Sequence, residues 1–154
     1  MRIFTFFLPQ HIKKPSTFVY VSFRLLWLIT VVSVIRSLLH IFLPDGGAQS
    51  IATIPLTSFP IEAQAVVAGM FAFWGLSQLL SSLFYVYILM AKVQWMPLAW
   101  LLLLFEYTAR WLIGQWKPFE TIGTAPGAIG NYVFVVLSLA MLVWYGIQHR
   151  KLIF

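Results

Sequence analysis

TFVYVSFRLLWLITVVSVIRSLLHIFLPDGG, residues 17–47, is the stretch that decides the fold. Between Thr17 and Leu43 only Arg24 and Arg36 carry a full charge. A helix needs about 20 apolar residues to cross the hydrocarbon core of a bilayer, and this run supplies them without a break. It stops at Pro44-Asp45-Gly46-Gly47, where proline cannot continue a helix and the following residues favour turns. The run therefore predicts a transmembrane helix over 17–43.

Three more segments repeat the pattern, near 62–91, 97–116 and 131–148. Glu62 opens the second, where a negative charge suits the helix N-terminus. Only residues 92–96 separate the second from the third, with Pro97 placed in the first turn of the new helix, so these two are expected to form a tight antiparallel hairpin. The third stops at Lys117-Pro118, and Asn131 is the expected N-cap of the fourth. The fold class is all-α: a polytopic membrane protein, a bundle of four transmembrane helices in one domain over 17–154.

Composition agrees. Of 154 residues, 61% are hydrophobic, 18% aromatic and only 9% charged, and the mean hydropathy is +0.89, values that a soluble core of this size has no use for. The net charge of +6 does not point to nucleic acid, because the basic residues are dispersed among apolar spans and form no solvated basic face. The chain has no cysteine, which excludes disulfides, thiol redox chemistry and cysteine-ligated metal or iron–sulfur centres. No metal site or catalytic constellation is legible.

Arg2, Lys13, Lys14, Lys92, Arg150 and Lys151 all fall on one side of the spans, whereas the opposite loops hold only Lys117. By the positive-inside rule both termini are expected in the cytoplasm, in the inner (cell) membrane of a bacterium. Trp95 and Trp100 at one end of the third helix, and Trp111 and Trp116 at the other, read as interface anchors. Residues 1–16 are too short in their apolar run for a signal peptide and are expected to be a retained tail lying among lipid headgroups.

Two arginines stand eight residues ahead of a proline in matching places, Arg36 before Pro44 and Arg110 before Pro118. An offset of 74 superimposes both pairs and lays the second helix over the fourth, which suggests two helical hairpins in tandem. Each arginine would then lie about 12 Å along its helix from its proline, at 1.5 Å per residue. A charge at that depth is costly and needs a reason.

Glu106 and Arg110 are four apart on one helix face and can pair. Arg36 and His40 have the same spacing on the first helix. If the charged faces meet, Arg36, His40, Glu106 and Arg110 form an outer-leaflet pocket in which two guanidinium groups face one carboxylate. Such a pocket should recruit an anion, a lipid phosphate or a carboxylate ligand, unless Glu62 reaches it or Arg36 snorkels outward. His40 can serve as a single axial ligand to haem or chlorophyll, but with no second histidine beside it hydrogen bonding is the expected role, and no cofactor is assigned. The Gly-rich segment 121–131 reads as a connector, with a lid over the pocket as its other reading. Ala65, Ala68, Gly69, Ala72 and Gly75 recur at helical spacing as a small-residue face for close helix packing. Gln78, just beyond, is placed to hydrogen-bond across helices.

The stretches LHIFLPDGGAQSIA, residues 39–52, and EYTARWLIGQWKPFETIGTAPGAIGN, residues 106–131, resemble small four-span bacterial membrane proteins of uncharacterised function, and the layout is similar to the DoxX-like proteins. That resemblance implies a small subunit beside membrane redox complexes. The four-helix vitamin K reductase type shares the architecture, but its chemistry needs cysteines this chain lacks. The expected function is accordingly that of a non-catalytic accessory subunit contacting membrane lipids and other membrane-protein subunits. The alternative is a lipid-binding, anionic-ligand-binding or transport bundle built on the Arg/His/Glu pocket. An enzyme using Glu106 is disfavoured, because Arg110 would neutralise it.

Overall fold

The structure, a computed structural model, describes residues 17–150 of the chain, with side chains as far as Ile147. Four helices account for most of it: α1 (Thr17–Phe42), α2 (Ile61–Ala91), α3 (Met96–Trp116) and α4 (Pro126–Arg150). All four are long and apolar enough to cross a membrane, so the chain is a multi-pass membrane protein with an all-helical bundle fold. The tail expected over residues 1–16 lies outside the described residues.

The stop at residue 44 is built as the sequence implies. Gly46 and Gly47 adopt φ +60° and +75°, the left-handed region that glycine enters at least cost. Space demands glycine there as well: a Cβ on Gly46 would lie 2.7 Å from the Ala68 carbonyl oxygen, and one on Gly47 would lie 2.9 Å from His40 Nδ1. Asp45 organises the loop that follows. Its Oδ1 accepts from Gly47 N–H at 2.9 Å, and its Oδ2 accepts from Gln49 N–H at 3.0 Å and Ser50 N–H at 2.7 Å. Partial burial alone would raise the Asp45 pKa, but the amides of Ser50, Gly47 and Gln49 and the Ser50 hydroxyl outweigh it and hold the carboxyl below its ordinary value. A depressed folded-state pKa contributes stability that is complete above the unfolded carboxylate pKa, about 4, and is lost as pH falls through the folded value. Asp45→Asn should therefore lower the unfolding midpoint in detergent at neutral pH. Its deficit against the parent should shrink as pH drops below about 4; a pH-independent deficit would refute the assignment.

The α1–α2 and α3–α4 connections are joined. Ile122 N–H donates to the Thr53 carbonyl at 3.0 Å, and the Thr53 hydroxyl donates to the Gly123 carbonyl at 2.8 Å. The 117–125 segment is thus tied to the α1–α2 loop, and most of it is exposed.

Contacts set the register. Gly46 lies against Ala68, His40 against Gly75 and Arg36 against Gln78, so α1 and α2 run antiparallel. Trp111 meets Tyr132 and Tyr107 meets Phe134, so α3 and α4 do the same. Close backbone approach runs along α1–α2 and along α3–α4, whereas α2 and α3, adjacent in sequence, approach closely at few places. Here the expected tight α2–α3 hairpin is corrected. The helices pack tightly near their connection, where Ile88 and Leu89 share one core with Ala99, Trp100 and Leu103, and a groove opens between them farther out. Bulky Phe84 and Phe105 stand in that region, where the α1–α2 seam has glycine and alanine.

Two further differences from the sequence reading have physical causes. Helix α4 begins at Pro126, five residues ahead of the expected start, because proline at the first helical position loses no needed hydrogen bond and fits the helical φ. Asn131 is therefore inside the helix rather than its cap. Trp100 is not an interface anchor: it is 0% exposed, and its Nε1–H donates to Ser22 Oγ at 2.8 Å. Ser22 Oγ also lies 3.0 Å from the Tyr145 hydroxyl, so one serine joins α1, α3 and α4. Trp95, Trp111 and Trp116 are exposed, as interfacial residues would be.

Candidate functional site

The four residues singled out as a pocket fall into three different settings. Glu106 and Arg110 form the i, i+4 ion pair within α3, and it is the only salt bridge among the described residues. Both line the groove between α2 and α3, an open recess of about 620 Å³ with Phe84, Tyr85, Phe105 and Ala109 among its walls. The Arg110 guanidinium carbon also sits 4.9 Å from the centroid of Trp74 and 5.4 Å from that of Tyr107, within cation–π range. Aromatic faces and a carboxylate together make an ionised group tolerable within a membrane span.

Arg36 points the other way, into the bundle. Its Nε–H donates to Gln78 Oε1 at 3.2 Å and its Nη2–H to the Tyr107 hydroxyl at 3.3 Å, so α1, α2 and α3 meet on one guanidinium. Gln78 and Tyr107 are 3% and 2% exposed. No carboxylate of the described residues pairs with Arg36, and Glu62, which would have to balance it, is exposed at the start of α2 and joins no ion pair there. Gln78 Nε2 is buried and has no hydrogen-bond acceptor among the described residues.

His40 belongs to the loop rather than to either charge cluster. Its Nδ1 lies 2.7 Å from the Gly46 carbonyl oxygen. A carbonyl can only accept, so Nδ1 carries the proton. The ring stacks on Trp74 at 5.0 Å and meets Phe71 edge-on at 5.7 Å, and the residue is 2% exposed. Its visible work is to close the last turn of α1 onto the Pro44–Gly47 corner. Trp74, touching both His40 and Arg110, is the link between this corner and the groove.

The small-residue face divides along its length. Gly75 is buried where α1 crosses: a Cβ there would come 2.7 Å from His40 Cβ and 2.9 Å from the Ser37 carbonyl oxygen. Ala68 abuts Gly46, and Ala72 is half-buried between them. Gly69 has nothing within 4 Å of a built Cβ, and Ala65 is exposed.

Sequence reasoning passed over Tyr107 and Trp74 and treated Gln78 as a structural hydrogen-bonder. A signal was present for two of them. Gln78 follows Gly75 by three residues on the face that α1 approaches, and Tyr107 precedes Arg110 by three on α3, where i, i+3 neighbours share a surface. Trp74 meets Phe71 on its own helix, but the neighbours that give it a place in the site, His40 and Arg110, come from α1 and α3. Comparison with protein-family models, with curated proteins and with solved structures finds no match to this chain.

Proposed function

We propose that this membrane protein binds an anionic amphiphile in the groove between α2 and α3, with the apolar chain along Phe84, Phe105 and Ala109 and the acidic head at Arg110. The observation that carries the reading is the groove itself: an open recess within the spans whose apolar walls carry one ion pair. Its volume, about 620 Å³, falls in the range of small-molecule sites, roughly 300–1,000 Å³. An acidic head suits this wall because Glu106 Oε1 engages one Arg110 amino group and leaves other guanidinium N–H donors of Arg110 to receive it. Mass spectrometry of lipids retained by the protein in mild detergent tests it. Ala109→Trp, which fills the groove, should deplete the retained lipid about tenfold or more, the effect of losing roughly 1.4 kcal/mol of binding. Unchanged retention would place any bound lipid elsewhere.

A second reading, an accessory subunit as the DoxX-like layout also implies, is favoured by one observation. Two members of the small-residue face, exposed Ala65 and Gly69, which has nothing within 4 Å of an added Cβ, are not covered by the described residues, and small residues let a helix of another protein approach closely. The same purification decides between them. Stoichiometric partner polypeptides support the subunit reading, and a monodisperse lone chain removes it.

A further inference from the structure

Arg36 has five N–H donors, of which two are met among the described residues, one by Gln78 Oε1 and one by the Tyr107 hydroxyl. Beside it the buried Gln78 amide has both Nε2 protons without an acceptor. The amide orientation is fixed by chemistry, since turning it over would set Nε2 against the Arg36 Nε–H, donor against donor. The cluster is therefore a set of unmet donors, one of them charged, with no acidic residue of the described chain to receive them. Snorkelling does not relieve Arg36. Its polar atoms are directed onto Gln78, ten residues along α2 from the Ala68 that abuts the Gly46 corner, about 15 Å into the span. Leaving such donors unpaired in low dielectric is costly.

We propose that Arg36, Gln78 and Tyr107 form a carboxylate-binding site inside the bundle, separate from the groove. A carboxylate has two coplanar oxygens able to take the free edge of a planar guanidinium and the adjacent amide protons together. It also supplies the negative charge that the cluster lacks. Arg36, which is half-buried, is the accessible edge of the site, while Gln78 forms its floor. The proposal uses different atoms from the groove reading and stands without it.

The test is a titration of the full chain in mild detergent with sodium formate and with sodium myristate, against sodium chloride at equal ionic strength, reading the thermal unfolding midpoint. A saturable rise with formate identifies a small free carboxylate as sufficient; a rise with myristate alone that survives Ala109→Trp assigns a fatty-acid-like ligand to this site. Arg36→Gln and Gln78→Leu should each weaken the response about tenfold or more, the usual consequence of losing a charge-assisted hydrogen bond. Gln78→Glu places the carboxylate in the chain itself and should fold without added ligand and no longer respond. Ala109→Trp should respond to formate as the parent does, and any part of the myristate response that it removes belongs to the groove. The proposal is overturned if neither carboxylate exceeds chloride, if Gln78→Glu responds like the parent, or if the response disappears in Ala109→Trp while surviving in Arg36→Gln.

Discussion

Trp100→Ala is expected to cause the largest loss of stability of any side-chain truncation in the bundle, about 3 kcal/mol, the lower end of the range for truncating a buried aromatic. The lower end applies because separated helices remain in lipid, so the lost term is packing and a cavity rather than transfer from water. Trp100 is fully enclosed, and its indole reaches Ser22, which also meets Tyr145. Its removal therefore loosens α3 from α1 and deprives Ser22 of one of its two partners. Two milder variants divide the effect. Trp100→Phe keeps most of the ring and should cost about 1 kcal/mol for the hydrogen bond. Ser22→Ala strands a buried indole N–H and should cost about 1–3 kcal/mol. The measurement is the unfolding midpoint in detergent, and Trp100→Ala no worse than Trp100→Phe would show that the cavity is empty of consequence.

The spans were legible because each rests on local signals: a long apolar run, then proline and glycine where the run must stop. The start of α4 was less so. Pro126, Gly127 and Gly130 look like loop residues one by one, yet proline fits a first helical turn, and glycine is common in membrane helices. Trp100 shows a harder limit. An amphipathic ring near a helix end suits an interface or a core equally, and which applies depends on Ser22, 78 residues away. The candidate pocket divided for the same reason. The Glu106–Arg110 pair is local and was readable from its spacing, whereas Arg36 chose Gln78 and Tyr107, partners 42 and 71 residues distant.

The apparent repeat also changes meaning. The chain does pack as α1 on α2 and α3 on α4, in the order tandem hairpins would give. The two arginines nonetheless occupy different surroundings, Arg110 in an open groove with its own carboxylate and Arg36 inside the bundle without one. Equal spacing to a proline fixes depth along a helix but not azimuth, and azimuth decides whether a guanidinium meets lipid or protein. Arg36 is consequently the charge that still requires a partner, and Arg110 the one already provided for.

Gly75→Leu is expected to separate α1 from α2 at their closest approach, with Gly75→Ala a graded version of the same break. Even the added Cβ of alanine would lie 2.7 Å from His40 Cβ and 2.9 Å from the Ser37 carbonyl oxygen, and neither atom is the free end of a flexible side chain. The helix backbones must move apart. Overpacking of this kind costs about 1–3 kcal/mol, against which alanine recovers up to about 1 kcal/mol of helix propensity; leucine should exceed the upper figure. Gly69→Ala is the internal control, with the same propensity gain and nothing within 4 Å to obstruct it, so its midpoint should stay level or rise. The displacement at Gly75 also has a consequence one turn away. Drawing α1 off α2 takes Arg36 away from Gln78, so Gly75→Ala should abolish the carboxylate response at temperatures where the protein remains folded. Equal midpoints for the two alanine variants would mean that the α1–α2 seam yields freely, and would remove the close approach as the feature that positions Arg36.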